Sequence, residues 1–193
     1  MKIILASKSP RRRELLRKIT DEFEIVTKET DETLPNEIHP SKGVEILAIR
    51  KGAAVVPLVG NESLVISSDT LVELDGAPLG KPSSEEDALS MLMRLSGKTH
   101  HVHTGVAVHY KGCVYSGVSS SAVTFREISE NELIEYIKSG EPLDKAGSYA
   151  IQGIGGKFVL GFDGNFDSIV GLDVGLTRDL ISSAIFEHGG KIP

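Results

Sequence analysis

The chain has 193 residues, 40% of them hydrophobic and 25% charged, and its 21 basic and 27 acidic side chains leave a net charge of −6. That length gives a single domain over residues 1–193, or two small lobes round a cleft, with ample apolar surface for a core. The acidic balance argues against a protein that coats nucleic-acid polymers or a membrane surface, and one cysteine, Cys113, excludes an internal disulfide framework and fits a reducing, cytoplasmic setting.

Strand-like runs alternate with capped amphipathic helices. Lys2–Ala6 reads as a buried strand, and it meets Arg11-Arg12-Arg13 too soon to be a signal peptide. Ser9 as N-cap and Pro10 as first helical residue open a helix to about Ile19, and Phe23–Thr27 reads as a second strand. A helix spans about Val44–Val56. Leu64–Ser68 is an apolar strand, and Leu71–Leu74 and Ala77–Leu79 flank the Asp75-Gly76 turn of a hairpin. Ser84 with Asp87 caps a helix that stops at Gly97, and Val102–Tyr110 with Cys113–Phe125 forms a long β-ribbon that packs Cys113. Ser129 with Glu132 caps a helix ending near Gly140. Glycine-rich turns then separate short strands up to Val170, and Thr177–His188 is the last helix. Parallel strands, hairpins and helices together argue an α/β fold.

Charge is unevenly spread. Residues 1–20 hold seven basic side chains and one acid, whereas residues 21–37 hold seven acids and Lys28. Arg11, Arg12 and Arg13 fall in the first helical turn, where the helix dipole favours acids. They read either as an anion site with the free helix amides, suited to phosphate, or as a solvated basic turn beside the acids. Lys51 shares a helical face with Val44, Leu47, Ala48 and Val55, so its stem snorkels past the core or the face borders a polar pocket. In Leu64–Thr70 an apolar strand ends in Asp69-Thr70, which puts a carboxylate at a carboxyl-terminal sheet edge, where ligands bind, or caps the next turn. Gly80-Lys81-Pro82 is a turn able to bring Lys81 back toward Asp69. The charged, glycine-rich segment from Gly140 to Gly153 is a shaped loop whose composition alone names no chemistry. His100, His101 and His103 lack a cysteine or acid at zinc-ligand spacing, and Gly153-Ile154-Gly155-Gly156 is not a dinucleotide fingerprint.

Together these blocks resemble the Maf family of nucleoside triphosphate pyrophosphatases over nearly the whole chain. The matching residues are Ile4–Ser7, Ser9–Arg12, Glu14–Leu16, Asp31-Glu32, Leu47-Ala48 with Lys51, Ser68–Thr70, Leu79–Pro82, Leu95–Gly97 to His100, Thr104–Ala107, and Glu141-Pro142 to Gln152-Gly153. Ser68, Ser168 and Asp173 depart from the family pattern. The resemblance implies an α/β fold with a mixed sheet and flanking helices, two lobes round a deep cleft, and often a homodimer. It implies hydrolysis of a nucleoside triphosphate to monophosphate and pyrophosphate with magnesium or manganese. Asp69 would be the general base, and Glu32 with Asp69 the metal carboxylates. Ser7, Arg11, Arg12, Arg13, Lys51, Thr70, Lys81 and Gln152 would bind substrate. Arg12, Thr70 and Gln152 together resemble the branch acting on dTTP, UTP and modified pyrimidines; the branch preferring 7-methyl-GTP carries other residues there. The Gln152 amide offers both a donor and an acceptor to a pyrimidine edge. Rival readings are a nucleotide-binding regulator of septum formation without turnover and a phosphatase releasing orthophosphate.

Overall fold

The computed structural model describes residues 1–35 and 38–189, so Glu37 of the acidic stretch lies outside the described residues. A seven-stranded mixed sheet is the frame. Its strands are β1 (Ile3–Leu5), β2 (Glu24–Ile25), β3 (Leu64–Leu74), β4 (Ala77–Leu79), β5 (Thr99–Tyr110), β6 (Cys113–Phe125) and β7 (Val159–Asp163). The order is β2-β1-β3-β5-β6-β7, with β4 paired to β3. β1 runs parallel to both β2 and β3, and the pairings of β3 with β4 and β5, of β5 with β6 and of β6 with β7 are antiparallel.

Among the described residues six helices flank it: α1 (Pro10–Leu16), α2 (Pro40–Val59), α3 (Glu85–Leu95), α4 (Glu130–Ile137), α5 (Phe166–Val170) and α6 (Val174–Glu187). The expected caps form: Ser9 accepts from the Arg12 amide, Ser84 from Asp87 and Ser129 from Glu132. α2 begins four residues before the expected Val44, because Pro40 supplies a preset first helical residue. α2 lies close against the sheet, where a Cβ on Gly105 of β5 would come within 2.3 Å of the Val44 carbonyl oxygen. The lack of a side chain there lets the lysine-bearing helix lie directly on β5, the neighbour of β3.

Other expectations are corrected. α1 stops at Leu16, short of Ile19, and β2 shrinks to two residues. The stretch up to Val170 holds 3₁₀ turns (Glu141–Asp144, Ala146–Ser148, Ile154–Phe158), β7 and the helical turn α5 rather than a series of strands. Asn165 accepts a hydrogen bond from the Ser168 amide and so caps α5, a local choice that a short apolar run does not reveal. Asp173 caps α6 by accepting from the Leu176 amide, which gives that departure a structural role. Cys113 is exposed at the start of β6 rather than packed.

The largest correction concerns β3. Asp69 and Thr70 do not end a strand; they lie in the middle of an eleven-residue one that pairs with β5 from Val65 to Glu73. On its other edge β3 pairs with β1 at Leu64–Ile66 and with β4 at Val72–Leu74. Residues 67–71 are left between these two partners, so the sheet has a notch with Asp69 at its centre. The strand that ends there is the parallel neighbour β1, which runs out into Ser7 and α1.

The core divides at the same place. Leu5, Leu15, Leu16, Leu64, Ile66, Val106, Val108 and Ile181 form one apolar cluster, with Ile4, Val55 and Val65 packed under α2. Val72, Leu74, Leu92, Leu95, Val123, Phe125, Leu133 and Phe158 form the other. The long strands β3, β5 and β6 run through both lobes and join them.

Candidate active site

The notch opens into a cleft of about 1340 Å³ between the lobes. Ser7, Arg11, Arg12, Glu32, Lys51, Asp69, Thr70, Lys81 and Gln152 all line it. These residues come from six separate segments of the chain. Arg13, expected with them, is exposed and outside the lining, since consecutive helical residues point in different directions. The shortness of α1 also leaves the arginine side chains as the main source of positive charge there, with little help from a helix dipole.

Lys51 ties the acids together. Its Nζ donates to Asp69 Oδ1 at 2.5 Å and lies 2.8 Å from Glu32 Oε1. Side-chain exposure is 19% for Lys51 and 11% for Asp69, against 59% for Glu32, so the inner pair is largely shielded from water. Such a pair is not a snorkelling lysine: its head is held inside the cleft by two carboxylates. The Lys51 hydrogen bond outweighs the cost of burial and holds the Glu32 carboxyl below its ordinary range. Arg50, the neighbour of Lys51, fixes the segment carrying Glu32 by donating to the Asp31 and Thr33 carbonyls at 3.3 and 2.7 Å.

A second network holds Arg12. Its Nε donates to the Gly171 carbonyl at 2.9 Å, and its terminal nitrogens reach Thr70 Oγ1 at 3.3 Å and Ser7 Oγ at 3.5 Å. Thr70 Oγ1 meets Thr104 Oγ1 at 2.9 Å, and Thr104 donates to the Ser168 carbonyl at 2.8 Å. Ser68 uses its extra hydroxyl to donate to the same Gly171 carbonyl at 2.9 Å. Burial lowers the Arg12 guanidinium pKa and Asp69 pulls it back up. The planar fork is thus preset toward the cleft before any ligand arrives.

Sequence reasoning missed Lys145, Lys28 and Lys8, which also line the cleft, and Thr104 as the partner of Thr70. Lys145 is 16% exposed and paired with Asp144. The charge density of the loop from Gly140 to Gly153 was the available signal. The histidines do other work: His103 bridges Glu73 and Ser120, each at 2.7 Å, and His100 Nε2 meets the Tyr149 hydroxyl at 2.8 Å. Among the described residues no group of three or more histidine, cysteine or acidic residues could hold a metal by itself. No helix among them is long and apolar enough to cross a membrane.

A mixed sheet notched between two lobes, with preset cations facing a shielded carboxylate, defines an α/β protein with a cationic cleft. The family profile described as Maf-like protein matches residues 2–184, and the chain belongs to the Maf family. A Bacillus cereus protein named dTTP/UTP pyrophosphatase is 47% identical over 180 residues, covering 93% of this chain and 94% of that protein. A Vibrio cholerae protein of the same name is 44% identical, covering 93% and 96%. The solved structure of the Staphylococcus aureus Ham1 protein matches with a TM-score of 0.51 at 16% identity, over 99% of this chain and 100% of that one, a likeness of fold.

Proposed function

We propose that this chain hydrolyses nucleoside triphosphates, dTTP and UTP foremost, to nucleoside monophosphate and pyrophosphate. The observation that carries the reading is Asp69, shielded at the floor of a cationic cleft with Lys51 fixing its carboxylate at 2.5 Å. The names of the Bacillus cereus and Vibrio cholerae relatives support the same substrates.

Arg11, Arg12 and Lys81 meet the triphosphate, whose roughly four negative charges need cations placed in advance. Asp69 accepts a proton from water as the water oxygen attacks the α-phosphorus. The bond from that phosphorus to the α–β bridging oxygen breaks, and pyrophosphate leaves with the electron pair. Lys51 orients Asp69 throughout. Gln152 presents its carboxamide to the base, and Arg12 with Thr70 shapes the space available to it.

Glu32 and Asp69 converge on one ammonium, and both offer hard oxygen donors. Those two carboxylates would hold a magnesium or manganese ion, since one or two protein carboxylates commonly suffice for such ions beside a phosphate substrate. When bound, the ion offsets charge on the triphosphate and on the departing pyrophosphate. Incubation with a nucleotide panel, with and without magnesium or manganese, tests the whole reading. Pyrophosphate release from dTTP and UTP, abolished by EDTA, is expected. Orthophosphate as first product indicates a phosphatase, and tight binding without turnover indicates a regulator.

A further inference from the structure

We infer that Glu141 is the positioning residue for base recognition: its carboxylate clamps the backbone turn that carries Gln152. The inference rests on the assignment of Gln152 to the base. Gln152 is exposed in the cleft wall, so its placement depends on the backbone on either side. On the far side, Glu141 Oε2 accepts from the Ile154 amide and Oε1 from the Gly155 amide, both at 2.9 Å. These amides open a 3₁₀ turn, where backbone donors lack partners of their own.

The clamp is anchored in the core. Tyr136, fully buried on α4, donates its hydroxyl to Glu141 Oε1 at 2.8 Å, and its ring meets Phe158 edge-on at 5.1 Å. The approach is so close that a Cβ on Gly153 would lie 2.3 Å from Glu141 Oε2. Only glycine lets the carboxylate reach past that position. Burial works against the charge, yet the Gly155 and Ile154 amides and the Tyr136 hydroxyl hold the Glu141 carboxyl below its ordinary range. On the near side, Tyr149 is tied to His100 at 2.8 Å. Gln152 therefore hangs between two fixed points, and Glu141, which does not itself line the cleft, sets one of them. A base-reading amide must be held to a fraction of an ångström to discriminate.

The test is Glu141→Gln, which keeps the volume but puts an amide group against backbone donors. Measured quantities are kcat and KM for dTTP, UTP and GTP, and competition by inorganic tripolyphosphate, which reads the phosphate half of the cleft alone. The expected result is a fall of about tenfold in kcat/KM for dTTP and UTP, carried by KM, from the weakening of charged hydrogen bonds. GTP and tripolyphosphate change by less than about twofold on the same reasoning, so base preference narrows. Tyr136→Phe shifts preference the same way by less, and adding Gln152→Ala to Glu141→Gln narrows it little further. An unchanged preference in Glu141→Gln, or equal losses for every nucleotide and for tripolyphosphate, overturns the inference. If Gln152→Ala alone leaves the preference intact, the assignment of Gln152 fails and the inference with it; if it narrows the preference while Glu141→Gln does not, only the role of Glu141 fails.

Discussion

Asp69→Asn separates chemistry from architecture. The substitution removes the proton acceptor while preserving volume and one oxygen facing the Lys51 ammonium at 2.5 Å. Lys51 also keeps Glu32 at 2.8 Å, so no buried cation is orphaned. The stability cost is therefore that of replacing an ammonium–carboxylate ion pair by an ammonium–amide hydrogen bond, about 1 kcal/mol. For a chain of this size that is roughly 2–4 °C in Tm. The loss of a positioned general base costs about 10²–10⁴ in rate. Initial rates of pyrophosphate release from dTTP and UTP at saturating magnesium or manganese, with Tm measured in parallel, read both quantities. The expected outcome is kcat down at least about 100-fold with KM within about threefold, since Arg11, Arg12 and Lys81 still hold the phosphates. A kcat within about tenfold of the parent refutes the base assignment. Recovery of full kcat at higher metal concentration would leave Asp69 with its metal-ligand role alone and refute the base assignment.

Three further outcomes are expected. Lys81→Ala raises KM for dTTP about tenfold with less than about 0.5 kcal/mol lost in urea unfolding, because Lys81 is exposed; equal losses in both would mark it as structural. Gln152→Glu removes the amide donor and lowers kcat/KM for dTTP and UTP by about 10- to 100-fold, changing which nucleotide is preferred across a panel; an unaltered ranking counts against base contact. Burial, with a smaller effect from His101, lowers the His100 imidazole from 6.5 to about 4. The unfolded chain takes up a proton there that the folded chain refuses. Stability is thus complete above pH 6.5 and declines as pH falls toward 4, by about 3 kcal/mol in all. His100→Gln should flatten urea midpoints between pH 7.5 and 4.5, and a slope as steep as the parent's would exclude His100 as its source.

The arginines, Lys51 and Asp69 were legible because each breaks a local rule, whereas Glu32 and Gln152 entered only through the family resemblance. Arginines stand at a helix start that favours acids, Lys51 lies on an apolar helical face, and Asp69 closes an apolar run. Cap signals likewise located α1, α3 and α4. Arg50 and Glu141 break no such rule: exposed charges on a helix or in a loop look like solvated surface until the segments they hold are in place. Arg12 and Arg13 could not be separated by composition, since only the phase of a short helix turns one inward and the other out.

Periodicity, caps and charge placement thus determined the class of fold and most of its elements and singled out Arg11–Arg13, Lys51 and Asp69 as candidates, because each depends on residues a few positions apart. The tertiary structure decided that Asp69 is reachable from the middle of a strand. β1 leaves β3 after Ile66 and β4 joins it only at Val72, so the notch between them is a property of neighbouring strand lengths. It also decided which loop acids become clamps, since the bonds of Glu141 to Ile154 and Gly155 span 13 and 14 residues and exist only once that loop has folded back on the Tyr136–Phe158 core of its own lobe.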